Sequence, residues 1–316
     1  LMDTGKSRYF IYSAISYSLV ILSHNCLALP FSAIILLEIL FFGLRRKNRR
    51  TFPRSILAFI LGVSLSAIFW LPALCEMKYV HLAKVTEGKF FYAENFRGLG
   101  DLFSSKWGFG RSISDPMPAG IGWPHILAFL CSLLLVWKVR NGKKSLIVFF
   151  IFMTLAGAFL ITPASEKFWD TLPLISFLQF PWRLLAITSL GTSFLFVSFG
   201  ILSGRKKNIL CMLMLIAVIA FYSRYIYTYG YLNVPDSVLT PEKITSHYNT
   251  TTYSDEYLPL WVTEKPDKKD DYLTINKGNG TVSELDVGGN YYDFLIFAEE
   301  ETELILSSFW YPGWRA

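Results

Sequence analysis

The chain is organised as long apolar blocks separated by short polar connections. An α-helix needs about 20 mostly apolar residues to cross the hydrocarbon core of a bilayer, and several blocks reach or approach that length. We predict seven membrane-spanning helices, over residues 9–23, 26–44, 54–75, 123–138, 145–161, 182–203 and 208–229. The pattern therefore indicates a polytopic α-helical membrane bundle over residues 1–229.

The first two blocks form one nearly continuous apolar stretch, residues 9–44. Two spans fit into this stretch if Ser23, His24 and Asn25 make a tight turn between them. A single overlong helix is the alternative interpretation, and the pattern alone leaves both open.

The period of the pattern changes after residue 270. Apolar and polar positions then alternate in four short runs, separated by turn-forming residues: 272–276, 281–287, 291–298 and 302–309. This alternation is typical of strands with one buried face, so we predict four antiparallel strands. Because such a sheet needs a second layer, we expect residues 271–316 to be the start of a β-sandwich, whose remaining strands lie beyond the end of the sequence or are supplied by residues 240–265. Residues 230–270 are interpreted as a linking segment.

The composition agrees with a membrane protein. Hydrophobic residues make up 53% of the chain and charged residues 17%, whereas soluble domains contain about 25% charged residues. The first residue is not methionine, and the last residues form the beginning of a turn. We therefore expect the sequence to be a fragment of a larger protein.

The basic residues predict the orientation in the membrane. Half of the 30 Lys and Arg residues lie in four short connections: 6–8, 45–54, 138–144 and 205–207. Such connections favour the cytoplasmic side, which places the loops 76–122 and 162–181 and the C-terminal region outside. That C-terminal region is acidic. The net charge of +6 is thus the sum of a basic rim and an acidic outer domain, and we expect no nucleic-acid partner.

Five sequence segments resemble a known group of proteins: LSHN at 22–25, GWPH at 122–125, LISFLQFPWRLL at 174–185, TTYSDEYLPLWV at 251–262 and WYPGW at 310–314. Together they resemble the membrane protein family catalogued as 6-pyruvoyl-tetrahydropterin synthase related, which is similar to bacterial membrane proteins that glycosylate lipoteichoic acid. QFPWR is the most specific element. The resemblance implies a GT-C type glycosyltransferase architecture, an active site on the outer face and a polyprenyl-phosphate-linked sugar as donor.

A metal site is not expected, although the family name refers to a zinc-dependent chemistry. The four histidines are widely separated in the sequence: His24, His81, His125 and His247. The four cysteines lie in or beside apolar blocks and form no CxxC motif. The lipid-linked sugar donor is therefore the one small-molecule ligand that we expect.

Arg183 is the first candidate for binding the donor phosphate. It follows Trp182 in an aromatic, proline-containing segment at the predicted outer surface, where an arginine can bind two phosphate oxygens at once. The alternative is a snorkelling arginine beside an interfacial tryptophan.

The loop 76–122 supplies further candidates. Three basic residues alternate with aromatic residues and are predicted to hold phosphate: Arg97, Lys106 and Arg111. Asp101 and Glu94 are the candidate general bases, because transfer to a hydroxyl needs a proton acceptor. An amphipathic interfacial helix that caps the bundle is the alternative. His24, in the first outer turn, either faces the same cavity or satisfies the carbonyl groups of that turn.

These features predict a membrane glycosyltransferase that moves a sugar from a polyprenyl-phosphate donor to a cell-envelope glycan or protein. The alternative is a non-enzymatic envelope transporter or assembly scaffold. A transporter usually carries ionisable residues at several depths of the membrane, and Glu38 is the only carboxylate well inside a predicted span. The pattern therefore favours the transferase.

Overall fold

The structure described is a computed structural model. The chain folds into two compact units. The helical unit comprises residues 1–78 and 82–232, and the β unit comprises residues 79–81 and 233–316. The described residues are 6–46, 50–103, 120–139, 141–172, 174–196, 199, 205–226, 235–238, 240, 255–263 and 272–315.

Ten α-helices are found in the described part of the helical unit. They are α1 (Ser7–Ser23), α2 (Asn25–Arg46), α3 (Thr51–Leu65), α4 (Ala67–Glu76), α5 (Leu99–Leu102), α6 (Trp123–Leu135), α7 (Asn141–Leu160), α8 (Glu166–Thr171), α9 (Leu185–Phe196) and α10 (Arg205–Tyr222). Short 3₁₀ helices connect them, including Leu82–Thr86, Tyr92–Asn95, Ile175–Leu178 and Pro181–Leu184. Because α1 ends and α2 begins on either side of an extended His24, the single overlong helix is excluded.

The helices pack through small and hydroxyl-bearing residues. α1 packs against α3, and α9 packs against both α6 and α7. Between α7 and α9, a Cβ atom on Gly157 would lie 2.6 Å from Thr188 Oγ1, and one on Gly191 would lie 2.5 Å from Thr154 Oγ1. The two glycines therefore permit a close approach of the two backbones, which is typical of helix pairs in membranes.

The prediction of seven spans is wrong. Among the described residues, only Asn25–Arg45 forms a helix that is long and apolar enough to cross a membrane. Two further helix pairs pass that test only if each bent pair counts as one span: Thr51–Leu65 with Ala67–Tyr79, and Lys144–Leu160 with Pro163–Thr171. The described residues thus provide one clear candidate span, or up to three, and this long apolar helix indicates association with a membrane.

Breaks and short helices explain why the apolar blocks do not become spans. The block 54–75 bends by 65° after Leu65, and the chain bends by 97° after Leu160. Pro163 contributes to the second bend, because proline disfavours a helical conformation in the residue before it. α6 has 13 residues, and the 17 residues of α1 include five serines.

The helical unit exposes large apolar side chains and buries small polar ones. Ile68 on α4 is 84% exposed and Leu134 on α6 is 74% exposed, whereas Ser66, Ser132 and Thr188 are fully buried. Apolar surface on this scale marks an interaction with a membrane or another apolar partner.

The β unit contains the four predicted antiparallel strands. They are β1 (Leu273–Lys277), β2 (Gly280–Val287), β3 (Tyr292–Ala298) and β4 (Glu303–Leu306). Their pairing differs from the single sheet that was expected, since β1 pairs with β4 and β2 pairs with β3 in two separate two-stranded sheets. The hairpin β2–β3 is thus nested between the two outer strands. Most of the predicted linker, residues 230–270, lies outside the described residues.

Candidate functional site

An apolar groove of about 330 Å³ lies in the helical unit. α2, α7, α9 and the segment between α8 and α9 form its walls, and all lining residues are apolar, with Ile34, Met153, Leu178 and Leu184 among them. Ligand pockets in proteins usually measure about 300–1,000 Å³. The groove is therefore large enough for part of a hydrocarbon chain.

The segment QFPWR connects two residues of the groove wall, Leu178 and Leu184. Both leucines are 1% exposed. Between them, Gln179 has φ 61° and ψ −51°, and the Phe180 amide donates a hydrogen bond to the Leu178 carbonyl. This geometry is a γ-turn with a positive φ, which is rare and strained for a residue other than glycine. Strained residues of this kind cluster at functional sites.

Arg183 is held against the backbone of Leu178, whose side chain lines the groove. Its Nη1 atom donates hydrogen bonds to the Leu178 carbonyl oxygen at 2.8 Å and to Gln179 Oε1 at 3.0 Å. The guanidinium group also lies over the Phe180 ring, 4.9 Å from the ring centroid. The positive charge is therefore fixed beside Leu178, whose side chain lines the groove.

One edge of the Arg183 guanidinium is left for a ligand. Nη1 carries two hydrogens, and its two hydrogen bonds use both. Within the ranges given above, Nε and Nη2 make no hydrogen bond and no carboxylate pairs with the group. The N–H groups of Nε and Nη2 are parallel, so this edge can donate to two oxygens of one anion.

A buried tyrosine on a neighbouring 3₁₀ helix binds a carboxylate. The Tyr92 hydroxyl donates a hydrogen bond to Asp170 Oδ1, and the 3₁₀ helix that begins with Tyr92 packs against the 3₁₀ helix that contains Arg183. Burial raises the pKa of Tyr92 to about 12, with smaller contributions from Asp170 and Glu166. The phenol therefore stays protonated and orients the Asp170 carboxylate.

α8 connects this carboxylate to the groove. The indole nitrogen of Trp169 donates a hydrogen bond to the carbonyl oxygen of Leu160 at 3.0 Å, and Leu160 lines the groove. Sequence reasoning missed Tyr92 and Asp170. Asp170 lies in the loop 162–181, so a search for carboxylates in that loop would have found it, but nothing in the sequence pairs it with Tyr92.

The structure brings two of the predicted site residues together. Trp182 stacks on Phe180, with ring centroids 5.2 Å apart and planes at 23°, beside Arg183. Arg97 lies in the same unit, where its backbone amide donates to the Ile161 carbonyl at 3.0 Å. Its Nε atom is buried and has no hydrogen-bond partner in the described part of the chain.

The remaining predicted site residues are not shown to contact Arg183. Asp101 Oδ2 accepts a hydrogen bond from the Gly98 amide at 3.0 Å, so this carboxylate caps α5. Glu94 is exposed on the 3₁₀ helix Tyr92–Asn95. His24 Nδ1 accepts from the Leu27 amide at 3.3 Å, so the ring satisfies an N–H group at the start of α2 and not the carbonyl groups of the turn. Lys106 and Arg111 lie outside the described residues.

The described residues contain no group of three His, Cys, Asp or Glu side chains that is able to hold a metal ion. Comparisons with protein-family models, curated proteins and solved structures give no match. The function therefore has to be inferred from the groove and from the charged groups at its edge.

Proposed function

We propose that the protein is a membrane glycosyltransferase that moves a sugar from a polyprenyl-phosphate donor to a cell-envelope glycan or protein. One observation carries this proposal. Arg183 has no carboxylate partner among the described residues, and it is bonded to the backbone of Leu178, a residue of the apolar groove. A cation at the edge of an apolar groove matches a ligand that joins a phosphate to a hydrocarbon chain.

The groove holds the end of the isoprenoid chain nearest the phosphate. Its volume of about 330 Å³ is at the lower end of the usual range for ligand pockets, about 300–1,000 Å³, so the rest of a long chain stays in the lipid. The Nε and Nη2 atoms of Arg183 donate to two phosphate oxygens. Arg97, with its unpartnered Nε, is a second cation of the same unit.

In the transfer, the bond between the sugar C1 atom and the phosphate oxygen breaks, and its electron pair stays on the phosphate. Arg183 stabilises this developing negative charge. A bond forms between C1 and the acceptor hydroxyl oxygen, and a carboxylate accepts the hydroxyl proton. Asp170 is the first candidate for this role, because its partner Tyr92 lies on a 3₁₀ helix that packs against the one containing Arg183. Glu94 is the second choice, and Asp101 caps α5.

The proposal places the helical unit in the cell membrane as a multi-pass protein. α2 crosses the bilayer, the helix pair bent by 65° crosses it back to the outer side, and the pair bent by 97° enters and leaves the membrane on that side as a re-entrant loop. Exposed apolar residues on other helices, such as Leu134 of α6, face the lipid. Arg45, Arg50 and Arg54 are assigned to the cytoplasmic side, which puts Arg183 and the extracytoplasmic β unit on the outer side.

Binding of farnesyl phosphate to the purified protein in lipid nanodiscs tests the proposal. We expect farnesyl phosphate to bind more tightly than farnesol, and inorganic phosphate to bind least. Arg183→Lys keeps the charge but loses the two-point geometry, so it weakens farnesyl phosphate binding and slows transfer. Arg183→Ala reduces both further, whereas the control Arg205→Ala on α10 has no effect.

Equal binding of farnesol and farnesyl phosphate by the parent protein would refute the phosphate site. Parental affinity and transfer rate in both Arg183 variants would show that Arg183 only anchors the protein in the membrane. Binding without any transfer activity would favour an envelope scaffold or transporter over the enzyme.

A further inference from the structure

We infer that Gln179 is the positioning residue that makes Arg183 selective for phosphate. This inference rests on the proposed function, since it concerns the same lipid-phosphate site. It is carried by the backbone conformation of Gln179 and by two hydrogen bonds of its side chain.

The backbone of Gln179 is held in a conformation that the side chain does not favour. Among the described residues other than glycine, only Gln179 and Asp255 have a positive φ. A glycine would adopt the γ-turn at position 179 with less strain, so the turn does not require a glutamine. Local conformation therefore does not explain why a long amide side chain occupies this position.

The side chain of Gln179 connects Arg183 to a distant part of the helical unit. Its Nε2 atom donates to the carbonyl oxygen of Val85 at 2.9 Å, across 94 positions of sequence, and its Oε1 atom accepts from Arg183 Nη1 at 3.0 Å. An amide group has a donor end and an acceptor end. Because the Val85 carbonyl fixes the donor end, the acceptor end points to the guanidinium.

This arrangement determines which face of Arg183 meets a ligand. Gln179 and the Leu178 carbonyl take both hydrogens of Nη1, while the central carbon of the guanidinium lies over the Phe180 ring. The Nε–Nη2 edge is left, and it donates to two oxygens of one phosphate group. Without the Gln179 side chain, only the Leu178 carbonyl and the Phe180 ring would hold the guanidinium, and the direction of its Nε–Nη2 edge would be less well fixed.

Three variants of the full chain in nanodiscs test the inference. Gln179→Gly relieves the backbone strain and removes both side-chain bonds. Gln179→Glu keeps the size, but it pairs its negative charge with Arg183 and cannot donate to Val85. The matched control is Asp255→Gly, which relieves the other positive φ outside the helical unit. The readouts are the melting temperature and the ratio of the farnesyl phosphate and farnesol affinities.

We expect Gln179→Gly to melt near the parental temperature and to bind farnesol as the parent does. Its affinity for farnesyl phosphate falls roughly tenfold, the effect of losing one charge-assisted hydrogen bond. Gln179→Glu loses more affinity for farnesyl phosphate, because its carboxylate competes with the phosphate. Asp255→Gly keeps the parental affinity ratio.

The outcomes separate the two proposals. A parent protein without preference for farnesyl phosphate over farnesol refutes the proposed function itself. A parent with this preference, together with a Gln179→Gly variant that keeps it, overturns the role of Gln179 only. A Gln179→Gly variant that loses both ligands equally assigns Gln179 to the support of the groove and also overturns its positioning role.

Discussion

The hydroxyl of Tyr92 donates a hydrogen bond to the carboxylate of Asp170, although the two residues are 78 positions apart in the sequence. The ring of Tyr92 also stacks on Trp169, with centroids 5.0 Å apart and planes at 22°. These contacts join the 3₁₀ helix Tyr92–Asn95 to α8. The same residues thus hold two connecting segments together and orient the carboxylate that we assign as proton acceptor.

The first prediction concerns this carboxylate. Asp170→Asn keeps the size of the side chain and removes its basicity, so we expect the transfer rate to fall by about 10²–10⁴-fold with unchanged binding of farnesyl phosphate. Glu166→Gln on the same helix is the control and should keep most of the activity. A parental rate in Asp170→Asn would exclude this role and make Glu94 the next candidate.

The second prediction concerns alkaline pH. The pKa of Tyr92 is raised from 10.0 to about 12 in the folded protein, so above pH 10 the unfolded chain releases this proton more readily than the folded one. The stability from the protonated phenol is thus fully present below pH 10 and lost as the pH rises through about 12.

Tyr92→Phe removes this titration. In melting experiments from pH 9 to pH 12, the parent should lose more stability than the variant, which lacks the Tyr92 hydrogen bond at every pH. Parallel pH curves for the two proteins would contradict the assignment of a raised pKa to Tyr92.

The third prediction concerns the groove. Ala33 of α2 lines the groove, so Ala33→Trp should fill part of its volume. We expect this variant to bind farnesol and farnesyl phosphate more weakly, and to a similar extent. Leu40→Trp, at an exposed position of the same helix, should leave both affinities unchanged. Loss of farnesyl phosphate binding alone in Ala33→Trp would mean that the hydrocarbon chain binds elsewhere.

The fourth prediction concerns orientation. In a variant whose four native cysteines are replaced by serine, a membrane-impermeant maleimide should label Asn279→Cys in intact cells. Asn48→Cys should react only after the cells are permeabilised, because the basic connection that contains residue 48 is predicted to be cytoplasmic. The reverse labelling pattern would overturn the proposed orientation.

Local sequence signals predicted part of this structure. The polar residues around His24 do separate two helices, and the alternation after residue 270 does mark four strands. Trp182 and Arg183 are neighbours in the sequence, so their common position beside Phe180 required no knowledge of the fold.

Features that depend on distant contacts could not be predicted in the same way. The hydropathy of block 54–75 predicts one span, yet the helix bends after Leu65. Hydropathy carries no information on the direction of a helix, so the bend could not be predicted from it. The pairing of β1 with β4 brings together strands that are separated in the sequence by the β2–β3 hairpin, and the alternating pattern does not specify which strands pair. Likewise, nothing near Tyr92 in the sequence points to Asp170, and only the folded chain brings Gln179 to Val85.

The wholly apolar wall of the groove determines how a ligand reaches it. Leu37 and Phe152 line the groove and are also at least half exposed, so the groove opens at an apolar surface of the helical unit. A lipid-linked ligand would enter by lateral diffusion within one leaflet and would not have to pass through water. The occupancy of the groove would then depend on the mole fraction of the ligand among the surrounding lipids. Adding lipid without ligand, at a fixed total amount of ligand, would lower that occupancy.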